Sequence, residues 1–162
     1  LTLVGDGEER ERLSALAGEL GLRERVSFLG ARTQDEVRTL LQRASVMCLP
    51  CQISADGNRD ALPTVLLEAQ ASGLPFVSTP VTGIPEIADH GRAGLLVPEQ
   101  DPRATAAALE ALLGDPAQRR DMARAGRARA EQLFDSAQAA RQLSGWFDQA
   151  CRAEEALCAS RA

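Results

Sequence analysis

Short apolar runs at residues 1–4, 26–29, 46–49, 75–79 and 94–97 alternate with amphipathic stretches over the first hundred positions. Each run has the length of a strand, and each intervening stretch is long enough for a helix of roughly ten to fifteen residues. Strands joined through such helices cannot be hairpin partners. Their connections are crossovers, and crossovers join parallel strands. The pattern therefore predicts an α/β fold: a Rossmann-like parallel β-sheet flanked by helices, with a helical C-terminal tail after residue 101.

Local punctuation sharpens this outline. Gly5-Asp6-Gly7 closes the first strand, and Leu13, Leu16, Ala17 and Leu20 then recur at helical spacing, which predicts one buried face. Gly21 is placed to end that helix in the left-handed conformation. Thr33-Gln34-Asp35-Glu36 is a capping box ahead of Val37, Leu40, Leu41 and Ala44. Pro63 stands where another helix begins, with Val65, Leu66 and Ala69 on its inner face and Gly73 at its end. Gly83-Ile84-Pro85-Glu86 turns into a short helix. Asp101 caps the next one with Pro102 behind it, and breaks are expected at Gly114-Asp115-Pro116 and near Phe134-Asp135-Ser136. A single domain over residues 1–162 is expected, with a terminal helix over 135–158 that Trp146 and Phe147 pack onto the rest.

Charge narrows the partners. The 18 basic residues, all Arg, face 23 acidic ones for a net charge of −5, which argues against binding nucleic acid or an anionic membrane through a general positive field. No apolar run reaches the roughly 18 residues of a membrane span. No signal peptide precedes the first strand, and four cysteines do not suggest a disulfide scaffold, so a cytoplasmic location is expected. The chain opens on Leu1 directly in a strand, as an excised piece would. Cys48-Leu49-Pro50-Cys51 has thioredoxin-like spacing but closes a strand instead of opening a helix, which argues against a redox role. Cys151 and Cys158 lie two helical turns apart, too far for an easy bond. His90, the one histidine, has no partner for a catalytic pair or a metal site and is expected in an exposed turn.

In open α/β sheets, ligands bind beyond the carboxyl ends of the strands, where helix N-termini offer unpaired N–H groups and a favourable dipole. The loop after the third strand runs from Asp56 to Glu68 and sets two carboxylates, Asp60 and Glu68, eight residues apart. Between them the backbone N–H groups of Ala61, Leu62 and Thr64 can address a phosphate, whereas Pro63 has none to give. Arg59 is a candidate for local positive charge. By spacing alone, an exposed loop acid and a helix acid favoured by the dipole are the preferred reading of Asp60 and Glu68.

The surrounding residues resemble the family-4 glycosyltransferases of the GT-B fold. Asp60-x7-Glu68 followed by residues 69–79 is similar to that family's paired-acid stretch. Leu3-Val4-Gly5-Asp6-Gly7, Val26-Ser27-Phe28-Leu29-Gly30, Thr82-Gly83-Ile84-Pro85-Glu86-Ile87 and Gly94-Leu95-Leu96-Val97-Pro98 match in the same order. The resemblance implies the nucleotide-sugar donor domain of a metal-independent, anomer-retaining hexosyltransferase that acts on a polysaccharide, lipopolysaccharide or lipid-linked acceptor. It assigns ribose hydroxyls to Glu68, donor-sugar hydroxyls to Asp60, the diphosphate to amides at Ala61, Leu62 and Thr64, and the base to main chain around Phe28 and Gly30. It implies a UDP- or GDP-sugar as substrate, no metal or other cofactor, and an N-terminal acceptor-binding domain as partner. Without that domain and the Arg and Lys upstream, little turnover is expected. A degenerate or split-subunit binding module is the alternative. Ala61 stands where the family usually has Gly, so a left-handed backbone there would be strained.

Overall fold

The computed structural model describes residues 1–54, 57, 59 and 61–159, with side chains described to residue 152. The chain divides into two compact units, Leu1–Arg43 and Ala44–Ala162.

In the first unit, β1 (Thr2–Leu3) runs parallel to β2 (Ser27–Phe28), with Thr2 opposite Ser27 and Leu3 opposite Phe28. The crossover is α1 (Arg10–Glu19), and α2 (Gln34–Arg43) follows. Gly21, at φ +68°, ends α1 as expected: its N–H reaches the Gly18 carbonyl at 3.0 Å, and Leu22 reaches Ala17 at 2.7 Å. This pair of bonds satisfies carbonyls that the helix leaves open. The capping box is formed: Thr33 N–H donates to Glu36 Oε2 at 2.8 Å, and Glu36 N–H donates back to Thr33 Oγ1 at 3.4 Å. Those bonds from Thr33 hold the Glu36 carboxyl below its usual range.

The predicted buried face of α1 is not observed. Ala17 is buried, but Leu13, Leu16 and Leu20 are 36%, 41% and 62% exposed. A sheet of two strands, each paired over two residues, offers too small a face to cover three leucines. On α2 the stripe holds better, with Leu41 buried, Val37 and Leu40 half-buried, and Ala44 exposed.

The second unit is built on three parallel strands in the order β3 (Met47–Leu49), β4 (Phe76–Ser78), β5 (Leu95–Leu96). Met47 pairs with Phe76 and Leu49 with Ser78, while Val77 pairs with Leu95. α3 (Thr64–Ala71) connects β3 to β4. α4 (Ile84–Ala88) and a 3₁₀ turn at Asp89–Gly91 connect β4 to β5. α5 (Pro102–Gly114), α6 (Pro116–Leu133) and α7 (Ser136–Ala159) complete the chain. The expected parallel α/β architecture is thus present.

β4 is fully buried, and alternation along it divides the core. Phe76 packs with Leu66 of α3 and Ile84 and Ile87 of α4, whereas Val77 packs with Val97, Leu112 of α5 and Met122 of α6. The tail helices start as the sequence predicts. Asp101 Oδ1 accepts from Ala104 N–H at 2.9 Å, Asp115 Oδ1 from Ala117 and Gln118 at 2.9 and 3.0 Å, and Asp135 Oδ1 from Gln138 at 2.7 Å.

Trp146 and Phe147 depart from expectation. They are 57% and 63% exposed, and Leu143 on the same stripe is 49% exposed. Among the described residues, the cores draw on none later than Phe134, and the stripe of α7 is left exposed.

α6 is fastened to the 3₁₀ turn by Arg129, which donates to the Glu86 carbonyl at 2.7 Å and to Asp89 Oδ1 at 3.1 Å. Asp89 also pairs with Arg92 at 2.8 Å. The Arg92 hydrogen bond, aided by the charge of Arg129, draws the Asp89 carboxyl below its ordinary range. A carboxyl lowered in the folded state stabilises the fold above its unfolded pKa, and that contribution is lost as pH falls through the folded value. Wild-type melting temperature is therefore expected to fall more steeply than that of Asp89→Asn between roughly pH 5 and pH 2. Parallel slopes in thermal melts across that range would contradict the assignment.

Candidate functional site

The carboxyl ends of β3, β4 and β5 are at Leu49, Ser78 and Leu96, and α3 begins after the loop that leaves β3. Pro63 occupies the N-cap position with φ −69° and ψ 102°, and no side chain caps the helix. Among the described residues, nothing accepts from the N–H groups of Leu62, Thr64 and Val65. They are free donors at the positive end of a helix, the arrangement that binds an anion such as a phosphate.

Glu68 lies one turn inside α3, on the same face as Thr64, and is half-buried. Helical side chains lean towards the N-terminus, which directs this carboxylate to the side where the free N–H groups are. Among the described residues it has neither a hydrogen-bond nor an ion-pair partner. A half-buried ionised carboxylate without a protein partner is available to accept two hydrogen bonds from a ligand's hydroxyls.

Asp60 lies outside the described residues. Among the described residues of this loop, Gly57 carries a positive φ of +80° and Ala61 does not adopt the left-handed backbone that would have strained it. The Ala61 carbonyl accepts from Gly83 N–H at 3.2 Å, so the loop after β4 lies against the start of α3. A Cβ on Gly83 would come within 2.8 Å of Leu62 Cδ1 and 3.1 Å of the Ala61 carbonyl oxygen, so close contact requires glycine there. The preceding Thr82 carries φ +45°, an unusual value for a β-branched residue. Glu86 is exposed on α4 and Arg59 is exposed in the loop. Phe28, half-buried, and Gly30, buried with φ +71°, belong to the first unit, where the Gly30 carbonyl accepts from Gly5 N–H at 2.9 Å.

Three side chains hold the backbone leaving β3, and sequence reading gave none of them a role. Ser78 Oγ donates to the Leu49 carbonyl at 2.6 Å, Thr79 Oγ1 donates to the Cys51 carbonyl, and Glu99 Oε2 accepts from Ile53 N–H at 3.0 Å. The polar pair directly after the apolar β4 run was the available signal for the first two.

The remaining candidates stay apart from this chemistry. Cys48 sits within β3 and burial pushes its thiol up, away from the reactive thiolate. Cys48 and Cys151 are free thiols, and the side chain of Cys158 lies outside the described residues. His90 is exposed in the 3₁₀ turn. Among the described residues, no three His, Cys, Asp or Glu side chains gather to hold a metal, and no helix is long and apolar enough to cross a membrane.

A parallel α/β unit with unpaired N–H groups where a helix starts beyond a strand end has the layout in which open α/β sheets receive ligands. Comparison with known proteins defines the family: the description "Glycosyl transferases group 1" matches residues 1–129, and the chain belongs to that family. It is 36% identical over 143 residues to the amylovoran biosynthesis glycosyltransferase AmsK of Erwinia amylovora, covering 88% of this chain and 35% of AmsK. Among solved structures, sucrose-phosphate synthase of Thermosynechococcus elongatus superposes with a TM-score of 0.80 at 31% identity, over 94% of this chain and 39% of that one. HepE of Anabaena, crystallised with UDP-glucose, gives a TM-score of 0.78 at 25% identity, over 91% and 40%. The chain therefore spans between a third and two fifths of the length of these relatives.

Proposed function

We propose that this chain is the donor-binding domain of a retaining hexosyltransferase that builds a bacterial polysaccharide, lipopolysaccharide or lipid-linked glycan from a UDP- or GDP-sugar. The observation that carries the reading is Glu68, a half-buried carboxylate with no partner among the described residues, one turn beyond the free N–H groups of Leu62 and Thr64. Likeness to AmsK and to the UDP-glucose-bound HepE supports the choice of ligand and of pathway class.

In this reading Glu68 accepts from the ribose hydroxyls and Asp60 from hydroxyls of the sugar. The amides of Ala61, Leu62 and Thr64 face the diphosphate, and main chain around Phe28 and Gly30 meets the base. As the glycosidic bond breaks, negative charge grows on the departing phosphate oxygen. Fixed N–H donors stabilise it more in the transition state than in the ground state, without reorganising at the moment of reaction. The donor amides serve this purpose without a metal. The acceptor is held by a second domain, in the cytoplasm, and this chain alone turns over slowly.

Calorimetric titration with UDP, GDP, ADP and their glucose conjugates tests the reading and identifies the base. Saturable binding of one nucleotide with its sugar conjugate is expected. A folded chain that binds none of them would instead be a non-catalytic module.

A further inference from the structure

We propose that Gly83 is a positioning residue for the donor diphosphate: its N–H holds the Ala61–Leu62 peptide so that the Leu62 N–H, on the opposite edge, faces the ligand. This inference rests on the donor site proposed above. Gly83 N–H donates to the Ala61 carbonyl at 3.2 Å. That carbonyl and the Leu62 N–H belong to one planar trans peptide group, in which C=O and N–H point in opposite directions. Fixing one edge of the plane fixes the direction of the other. The Leu62 N–H, which donates to nothing among the described residues, is therefore aimed away from Gly83.

The core fixes Gly83 but not its partner. Val81 before it and Ile84 after it are 2% and 0% exposed, and Ile84 N–H returns to the Val81 carbonyl at 3.0 Å. The Gly83 carbonyl accepts from Ile87 N–H at 3.2 Å, in the first turn of α4. Ala61 and Leu62 are exposed, so packing does not set the angle of their peptide, and the bond from Gly83 does. The approach also demands the absence of a side chain. Gly83 has φ −79° and ψ −4°, values open to other residues, so glycine is not needed there for backbone freedom. A Cβ would meet the Ala61 carbonyl oxygen at 3.1 Å and Leu62 Cδ1 at 2.8 Å, and alanine would push this peptide out of line. The bond at the carbonyl also polarises the amide. Leu62 N–H becomes a stronger donor to phosphate, and a phosphate there strengthens the Gly83 bond in return.

NMR titrations of the isotopically labelled chain with UDP and with uridine, on wild type and Gly83→Ala, test this role. In wild type the Leu62 and Gly83 amide protons are expected to move downfield together as UDP saturates, although Gly83 faces away from the ligand. Uridine, which has no phosphate, should move neither. In Gly83→Ala, UDP affinity is expected to fall about tenfold, the weight of one hydrogen bond to a charged group, with uridine affinity changed less than about twofold. A glycine of purely structural importance would weaken both ligands alike. Equal weakening would overturn the proposal, as would a Leu62 or Gly83 amide that stays still in wild type while UDP saturates, a result that needs no variant. Absence of UDP binding by wild type would overturn the donor site itself, and with it this role for Gly83.

Discussion

Glu68→Gln is expected to weaken nucleotide-diphosphate binding by about tenfold to a hundredfold while leaving the fold intact. An ionised carboxylate accepts from two ribose hydroxyls through charge-assisted bonds. The amide keeps one acceptor, loses the charge and turns an NH₂ donor towards a hydroxyl. In most proteins such a change to a half-buried acid would also break an internal bond. Here Glu68 has no partner among the described residues, so no group is left unpaired, and stability should move by no more than about 0.5 kcal/mol. Titration with UDP together with a thermal melt separates the two effects. A melting temperature that falls along with affinity would make Glu68 a structural acid.

The largest effect on folding is expected at Gly94. A Cβ there would lie 2.3 Å from Cζ of Phe76 and 2.4 and 2.6 Å from the two Cε atoms. Phe76 has zero exposure at the centre of β4, packed among Leu66, Ile84 and Ile87, so the ring has no free direction in which to yield. Interiors are packed as densely as molecular crystals, and one added methyl must displace its neighbours. Gly94→Ala should cost about 3 kcal/mol, at the upper end of overpacking penalties, and lower the melting temperature on the order of 10 °C. Phe76→Leu alone should also destabilise, by removing ring atoms from the core. Combined, the two should destabilise less than their sum, because the smaller side chain vacates the space that the methyl needs. Additive losses in that double-mutant cycle would show that the clash is relieved elsewhere.

Features written in neighbouring residues were legible in the sequence. The capping box from Thr33 to Glu36, the aspartate cap at 101 and the glycine at 21 each depend on atoms a few residues apart, and all formed as expected; the expected break at Gly114-Asp115-Pro116 is made by Asp115 capping α6. Parallel pairing was equally legible, because a helix between two strands leaves no other connection. Periodicity identified the leucines of α1 as one face, and Trp146 and Phe147 were expected to pack α7 onto the rest, but neither reading carries information on what covers those residues. Leu13, Leu16, Leu20, Trp146 and Phe147 are exposed for that reason.

At the site, the same division holds. The paired acids and the proline-started helix were visible as a local pattern, and Glu68 lies on α3 beside free donors. The Ser78, Thr79 and Glu99 bonds join residues 29, 28 and 46 positions apart, and beyond the polar pair that follows the apolar β4 run nothing local marks them. Ala61 is not among the described residues with a positive φ, whereas Thr82, a β-branched residue, carries one.

The central claim is that phosphate is received at the start of α3. An NMR titration of the isotopically labelled chain with UDP tests it most directly, because each amide reports separately. The account predicts the largest shifts at the Leu62, Thr64 and Val65 amides, saturating together, and their loss in Glu68→Gln at the same UDP concentration. Saturating shifts that leave residues 61–68 untouched would contradict it.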